Sequence, residues 1–339
     1  MSFYQLENSM KTITVSTPLV SIIIPVYGVE NYIERCARSV FGQTYDYLDF
    51  LFVDDCSPDR SVEILLNVLE EYPGRKSQFR LERFEKNRGI SVVRKYMHEH
   101  CKGDFLFALD SDDWIDTDTI EKLVKKQQEH NSDIVSGDYL LHLPGGKLIE
   151  DRNHPLGKED YLISMLRGRE RQYLCGRLVR TSLFKDYDIV AKDGMNIGED
   201  WQMTPLLVYY SKSIDFVSEP LYHYNQENTS SATRIQSFDK FFKTRLVTIE
   251  SLMTLSSRFS KIAPQYCQHI RHVICWHLYD LHIKCCKNGK HDLFNKIKKQ
   301  YKHYGYLDYV SSGKTGCLYS LIGNNYYLLR TLLFLKGMK

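Results

Sequence analysis

The chain has 339 residues, 26% of them charged, and a formal net charge of +3 at pH 7, a length that allows about two domains. Its nine cysteines are odd in number and show no Cys-x-x-Cys spacing, which argues against a disulfide scaffold and for a reducing, cytoplasmic setting. Residues 1–17 show no charged-then-apolar leader pattern, and no run of 18 apolar residues occurs, so neither a signal peptide nor a spanning helix is expected.

The first predicted strand is Val20-Ser21-Ile22-Ile23-Ile24, ending at Pro25-Val26-Tyr27-Gly28; Ile33, Ala37, Val40 and Phe41 then recur at helical spacing. A second strand, Asp49-Phe50-Leu51-Phe52-Val53, ends at Asp54-Asp55-Cys56-Ser57-Pro58. Ser57 or Asp59 is placed to cap the next helix, whose apolar stripe is Val62, Leu65, Leu66 and Leu69. The third strand, around residues 79–84, leads to Asn87-Arg88-Gly89 and a helix through Val93, Met97 and Cys101. The fourth, Phe105-Leu106-Phe107-Ala108-Leu109, runs into Asp110-Ser111-Asp112-Asp113-Trp114.

Strand and helix alternating four times predicts an α/β fold with a doubly wound, mostly parallel sheet, in which ligands bind beyond the carboxyl ends of the strands. All four strands deliver polar or turn residues to that end, so one site collects them. Three carboxylates within four residues repel one another and raise one another's pKa unless a cation or a set of donors compensates them. Oxygen-only ligands favour a hard divalent ion, Mg²⁺ or Mn²⁺. The alternative is a solvated turn that caps the following helix.

In order and spacing these motifs, together with Ser39-Val40-Phe41-Gly42-Gln43-Thr44-Tyr45 and Asn87-Arg88-Gly89-Ile90-Ser91, resemble family 2 glycosyltransferases of the GT-A, Rossmann-like fold across residues 18–235. The resemblance implies that Pro25, Val26, Tyr27, Asp54 and Asp55 hold the nucleoside of a nucleotide-sugar donor, with Asp55 as acceptor for the base. Asp55 also suits a helix cap beside Ser57. Asn87, Gly89 and Ser111 join the donor site by the same match. It further implies that Asp110, Asp112 and Asp113 bind ribose and the metal that bridges the diphosphate.

Asn196-Ile197-Gly198-Glu199-Asp200-Trp201 resembles the family's Glu-Asp motif, which makes Asp200 the base that takes a proton from the acceptor hydroxyl, with Glu199 raising its pKa. Read without the resemblance, the same pair is the acidic start of a helix. Arg177 sits where relatives tend to carry a Lys facing the diphosphate, although Leu174, Cys175 and Gly176 replace the usual neighbours. Arg94 matches an Arg that contacts base or phosphate, or lines a helix face. His223 reads either as part of a metal shell or as a packed strand residue.

Beyond residue 235 the charge changes sign. Residues 1–235 carry 28 Lys/Arg against 37 Asp/Glu, a net of −9, whereas residues 236–339 carry 17 against 5, a net of +12. This basic region reads as helical, with Phe238, Phe241, Phe242, Leu246 and Ile249, then Ile270, Val273, Ile274, Trp276, His277 and Leu281, at steps of three and four. Residues 318–336, rich in Leu and Tyr, suit an interfacial amphipathic segment or a final helix docked on the core or on a partner. No nucleic-acid-binding motif is present.

The expected function is an inverting, metal-dependent hexosyl- or N-acetylhexosaminyltransferase. It would move a sugar, from a UDP-sugar by preference, to a glycan or lipid-linked glycan in bacterial surface polysaccharide synthesis, with peripheral contact at the inner membrane face. The rival from another class is a non-catalytic nucleotide-sugar-binding or scaffold protein. A nucleotidyltransferase would need a Gly-rich, Arg-containing loop after the first strand, and a dinucleotide oxidoreductase a Gly-x-Gly-x-x-Gly; neither is present.

Overall fold

The structure, a computed structural model, describes residues 17–153, 157–192, 194–195, 197–228 and 237–304. The segment 318–336 and residues 1–16 lie outside the described residues. Strands β1 (Val20–Val26), β2 (Leu48–Asp54), β3 (Phe79–Arg83) and β4 (Phe105–Ala108) alternate with helices α1 (Ile33–Phe41), α2 (Ser61–Glu70) and α3 (Ile90–His100). Then follow β5 (Trp114–Ile115), α4 (Thr119–His130), β6 (Ile134–Leu143), β7 (Lys147–Asp151), α5 (Lys158–Leu166), β8 (Arg177–Arg180), α6 (Ser182–Asp186), α7 (Asp200–Tyr210) and β9 (Ile214–Asn225). Three helices close the described chain: α8 (Phe238–Ile262), α9 (Cys267–Lys287) and α10 (His291–Tyr301).

The strand order is β3-β2-β1-β4-β8-β6-β9-β5, with β7 paired to β6. Strands β1 to β4 are mutually parallel, and β8 enters antiparallel between β4 and β6. The expected mostly parallel sheet is therefore a mixed one, with its parallel half where the sequence placed it. Side chains alternate across the pleat. Ile22, Ile24, Phe50 and Phe52 enter a core with α1, α2 and α4, while Ile23, Leu51, Val53 and Leu106 enter a second core on the opposite face. That second core also takes in α3, α5, α7 and the buried faces of α8, α9 and α10. The described basic helices therefore share their packing with the sheet. Phe259, fully buried there, is one anchor, and truncating such a ring costs roughly 3–5 kcal/mol.

Two details differ from expectation. Leu66 is exposed, and Val68 takes its place in the buried stripe of α2. The start of that helix is held by Asp59, which accepts from the Ser61 N–H at 3.1 Å, whereas Ser57 receives the Gly28 N–H at 3.4 Å. Behind the sheet, Gly103 turns the chain into β4. Its N–H donates to Ser21 Oγ at 2.8 Å, and a Cβ there would lie 2.5 Å from the Ser21 nitrogen and the Phe105 carbonyl oxygen. No other residue fits without moving backbone.

Candidate active site

The carboxyl ends of β1, β2 and β4 open into a cleft of about 760 Å³, lined by Pro25, Val26, Tyr27, Asp55, Asn87, Gly89, Arg94, Asp110, Ser111, Asp112, Glu199 and Asp200, among others. Twelve sequence-predicted site residues are thus brought to one place from the end of β1, the loops after β1 to β4, helix α3 and the start of α7. Parallel strands in register make this happen: Val26 pairs with Asp54 and Ile23 with Ala108, so their loops emerge side by side.

Asp55 is buried, and its two oxygens accept from the Arg88 N–H at 2.7 Å and the Gly89 N–H at 2.9 Å. It ties the loop after β2 to the start of α3 instead of capping α2. Gly89, at φ +85°, adopts the left-handed turn that aims its N–H at this carboxylate. Asp54 is absent from the cleft wall. Its carboxylate accepts from the Ser57 N–H at 2.8 Å and from Arg83 at 3.2 Å, a loop-holding position.

Arg94 occupies the centre. Its buried guanidinium donates to Asp110 at 2.9 Å, to Asp200 at 2.9 Å and to Glu199. One cation on α3 thereby joins the loop after β4 to the N-terminus of α7 while still lining the cleft. Burial lowers the guanidinium's pKa, but Asp200, Glu199 and Asp110 outweigh it and raise the pKa well above its ordinary value. Burial also lifts Asp200 to about 7; Arg94 opposes the rise, and Glu199 and Asp110 add to it. Glu199 precedes α7 and Asp200 opens it. The pair is therefore a helix start and a cleft wall at once.

The acidic loop divides its carboxylates. Asp112 faces the cleft, takes the Asn228 amide at 2.8 Å, and is lifted to about 6 by burial and by Asp110. Asp113 turns into the fold, where it accepts from the Tyr222 hydroxyl at 2.5 Å and the Asn225 N–H at 2.7 Å. Burial, then Asp112 and Asp110, raise its pKa far above the carboxylate range. Asp113 therefore stands behind the loop and not among the cleft-lining ligands. Among the described residues no group of three or more His, Cys, Asp and Glu is placed to hold a metal, which corrects the three-aspartate expectation. Two cleft-facing carboxylates, Asp110 and Asp112, still fit a Mg²⁺- or Mn²⁺-like ion, since such ions commonly take one or two carboxylates and complete their shell with phosphate oxygens.

Two other expectations move. Arg177 is fully buried away from the cleft, donating to the Tyr173 and Arg171 carbonyls and to the Tyr161 hydroxyl at 2.8, 3.0 and 3.0 Å. It cannot face a diphosphate from there. His223 stacks on Trp114 at 5.0 Å and bonds His142 and Asp116 at 2.9 and 3.0 Å, which makes it a packed strand residue. Sequence reasoning did not reach Tyr222, Asn225 and Asn228, which hold the acidic loop, nor the aromatic wall of Tyr173, Trp201 and Tyr224. For the first three the signal was the polar end of β9 and the run of polar side chains that follows it; for the aromatics there was none, because they come from three separate segments.

The sequence pattern of the family described as "Glycosyl transferase family 2" matches residues 21–187. The chain is 28% identical over 244 residues to EpsH of Bacillus subtilis (strain 168), covering 69% of this chain and 68% of that one. It is 27% identical over 242 residues to the poly(ribitol-phosphate) beta-N-acetylglucosaminyltransferase TarS of Staphylococcus aureus (strain Mu50), covering 68% of this chain and 40% of TarS. The match thus spans less than half of TarS. Among solved structures, S. aureus TarS 1-349 in complex with UDP-GlcNAc superposes with a TM-score of 0.55 at 19% identity, over 84% of this chain and 92% of that one. The mannosyltransferase PcManGT of Pyrobaculum calidifontis, in complex with GDP-Man and Mn²⁺, does so with a TM-score of 0.53 at 13% identity, over 96% and 89%. At these identities the two structures speak for the fold.

Proposed function

Since the chain belongs to glycosyl transferase family 2, we propose that its cleft transfers a sugar, with inversion, from a nucleotide donor to a hydroxyl of a glycan acceptor. The observation that carries this reading is the Arg94 cluster. It fixes a carboxylate raised to about 7, Asp200, on the same wall as the acidic loop.

Pro25, Val26, Tyr27, Asp55, Asn87 and Gly89 form the end of the cleft that would receive the nucleoside. Asp110 and Asp112 would hold a divalent ion. Such an ion, when bound with the donor, supplies neutralisation of charge on the departing diphosphate. Asp200 removes the proton from the acceptor hydroxyl as its oxygen attacks the anomeric carbon from the face opposite the diphosphate. A carboxylate near 7 is about half ionised at neutral pH, so it accepts a proton at that pH and releases it again to solvent. No enzyme nucleophile is required, and one base with in-line attack gives inversion.

A UDP-sugar donor and an N-acetylhexosamine or hexose are the finer reading, supported by the TarS neighbours. Bacterial surface polysaccharide or a related polymer, on a lipid carrier at the inner membrane face, is the corresponding setting. Among the described residues no helix is long and apolar enough to cross a membrane.

The test pairs calorimetric binding of UDP, with Mn²⁺ or with EDTA, against release of UDP from UDP-GlcNAc. Asp200→Asn should bind UDP like the wild type and lose turnover by about 10²–10⁴-fold. Turnover unchanged in that variant removes Asp200 from the chemistry. A wild type that binds UDP and never turns a donor over belongs to the binding-protein class.

A further inference from the structure

Helices α8 and α9 lie antiparallel. The Phe238 ring is 5.8 Å from Lys290 Nζ, the Phe241 ring 5.7 Å from Lys284 Nζ, and Arg245 lies 5.4 Å from the Trp276 ring and 3.1 Å from Asp280. This sets cations along the α8–α9 seam, over the core ring of Phe241, the half-buried ring of Phe238 and the exposed ring of Trp276. Trp276 is 49% exposed, and Lys243, Lys284, Lys287 and Lys290 are exposed around it. Trp276, Asp280, Ile283 and Lys287 follow one another at steps of three and four, one stripe of α9.

Charge on this part of the chain is poorly balanced: residues 237–304 carry 13 Lys/Arg against 4 Asp/Glu. Asp280 answers Arg245, and His277 accepts from the same guanidinium at 2.8 Å. Lys284 and Lys290 rest on π faces, which leaves their charge uncancelled. A large indole held at the surface among lysines matches the chemistry of a bilayer interface, where the ring sits at headgroup depth and the ammonium groups meet lipid phosphate.

We propose that this α8–α9 face docks onto an anionic phospholipid bilayer. The chain's own segment 305–339 does not complement it, because that segment carries four Lys/Arg against one Asp. A second copy packed face to face through the same helices would bring the same sign of charge. The position of the face gives it a use: Thr248, one turn beyond Arg245 on α8, lines the cleft, about 4.5 Å further along the helix axis. Docking there brings the cleft near the headgroup layer, where a lipid-carried acceptor would be met. That use rests on the transferase reading; the docking itself does not.

The experiment is co-sedimentation of the full chain with vesicles of phosphatidylcholine alone or mixed with phosphatidylglycerol, at low and high salt. Wild type should pellet only with the phosphatidylglycerol mixture and should be released by salt. Lys284→Glu, Lys287→Glu and Lys290→Glu combined should lower partitioning by about tenfold or more, and Trp276→Ala should lower it less, with UDP binding unchanged in both. A wild type that stays in the supernatant overturns the proposal. So does a triple variant that pellets like the wild type, and so does binding to a duplex oligonucleotide that outcompetes the vesicles. Loss of UDP binding by the wild type would count against the transferase reading and leave the vesicle result standing.

Discussion

At the base end of the cleft three carboxylates, Asp110, Glu199 and Asp200, share one buried cation, Arg94. Beside them Asp112, which faces the cleft, and Asp113, which stands behind the loop, are hydrogen-bonded by neutral donors: the Asn228 amide, the Tyr222 hydroxyl and the Asn225 N–H. The residue types match and the electrostatics do not. Arg94 balances its neighbours within the fold, whereas amides and hydroxyls orient a carboxylate without cancelling its charge. The uncancelled end is where an incoming cation gains most. Burial and Asp110 raise the pKa of Asp112, and burial, Asp112 and Asp110 raise that of Asp113.

Breaking the balanced end should have the largest effect. Arg94→Gln leaves buried carboxylates without their cation, and losses of about 3–5 kcal/mol follow when one partner of a buried ion pair is removed. Urea unfolding of the variant measures it directly. Arg94→Lys keeps the charge but not the fork that reaches three carboxylates, so it should retain most of the stability and lose turnover. Equal stability of Arg94→Gln and wild type would show that the cluster organises nothing.

On the neutral end the cost should be smaller. Asp113→Ala strands the Asn225 N–H in the interior at about 1–3 kcal/mol, while the Tyr222 hydroxyl loses its acceptor but still receives the Asp110 N–H at 3.3 Å. The loss should appear in the same urea experiment and remain below that of Arg94→Gln. An Asp113→Ala chain as stable as wild type would mean that water satisfies both donors. Asp112→Ala, by contrast, should leave stability nearly intact and abolish the Mn²⁺-dependent part of UDP binding, since Asp112 faces the cleft and Asp113 does not.

The same comparison explains what could be read from the sequence. Strands β1 to β4, their order of loops and the cleft residues from Pro25 to Asp112 were legible because each signal is local: an apolar run, then a polar turn. The roles of Arg94, Asp113 and Arg177 were not. Arg94 meets Glu199 across 105 residues and Asp113 meets Tyr222 across 109, and no local pattern records such a meeting. Arg177 shows the opposite error: a cation where relatives tend to carry a Lys suggests a diphosphate ligand, yet β8 directs it into the interior, where it donates to Tyr161 and two carbonyls. The sequence showed a basic C-terminal region, but not that α8 to α10 complete the core of the sheet.

The smallest expected effect is also the most diagnostic of the balanced end. In its proposed role as the base, Asp200 must be ionised to take a proton, and its pKa stands at about 7, so turnover should fall about tenfold per pH unit below that point and level off above it. Stability should move the other way. A carboxylate raised in the folded state binds its proton more tightly there than in the unfolded chain, so its protonation favours the fold as pH falls from about 7 toward the ordinary range near 4. Glu199→Gln removes one of the charges that raise Asp200 and frees Arg94 to bind it more closely; both changes move the activity limb to lower pH, by up to about one unit. A limb that stays in place, or moves up, would show that the group titrating near 7 is not the carboxylate that Arg94 holds.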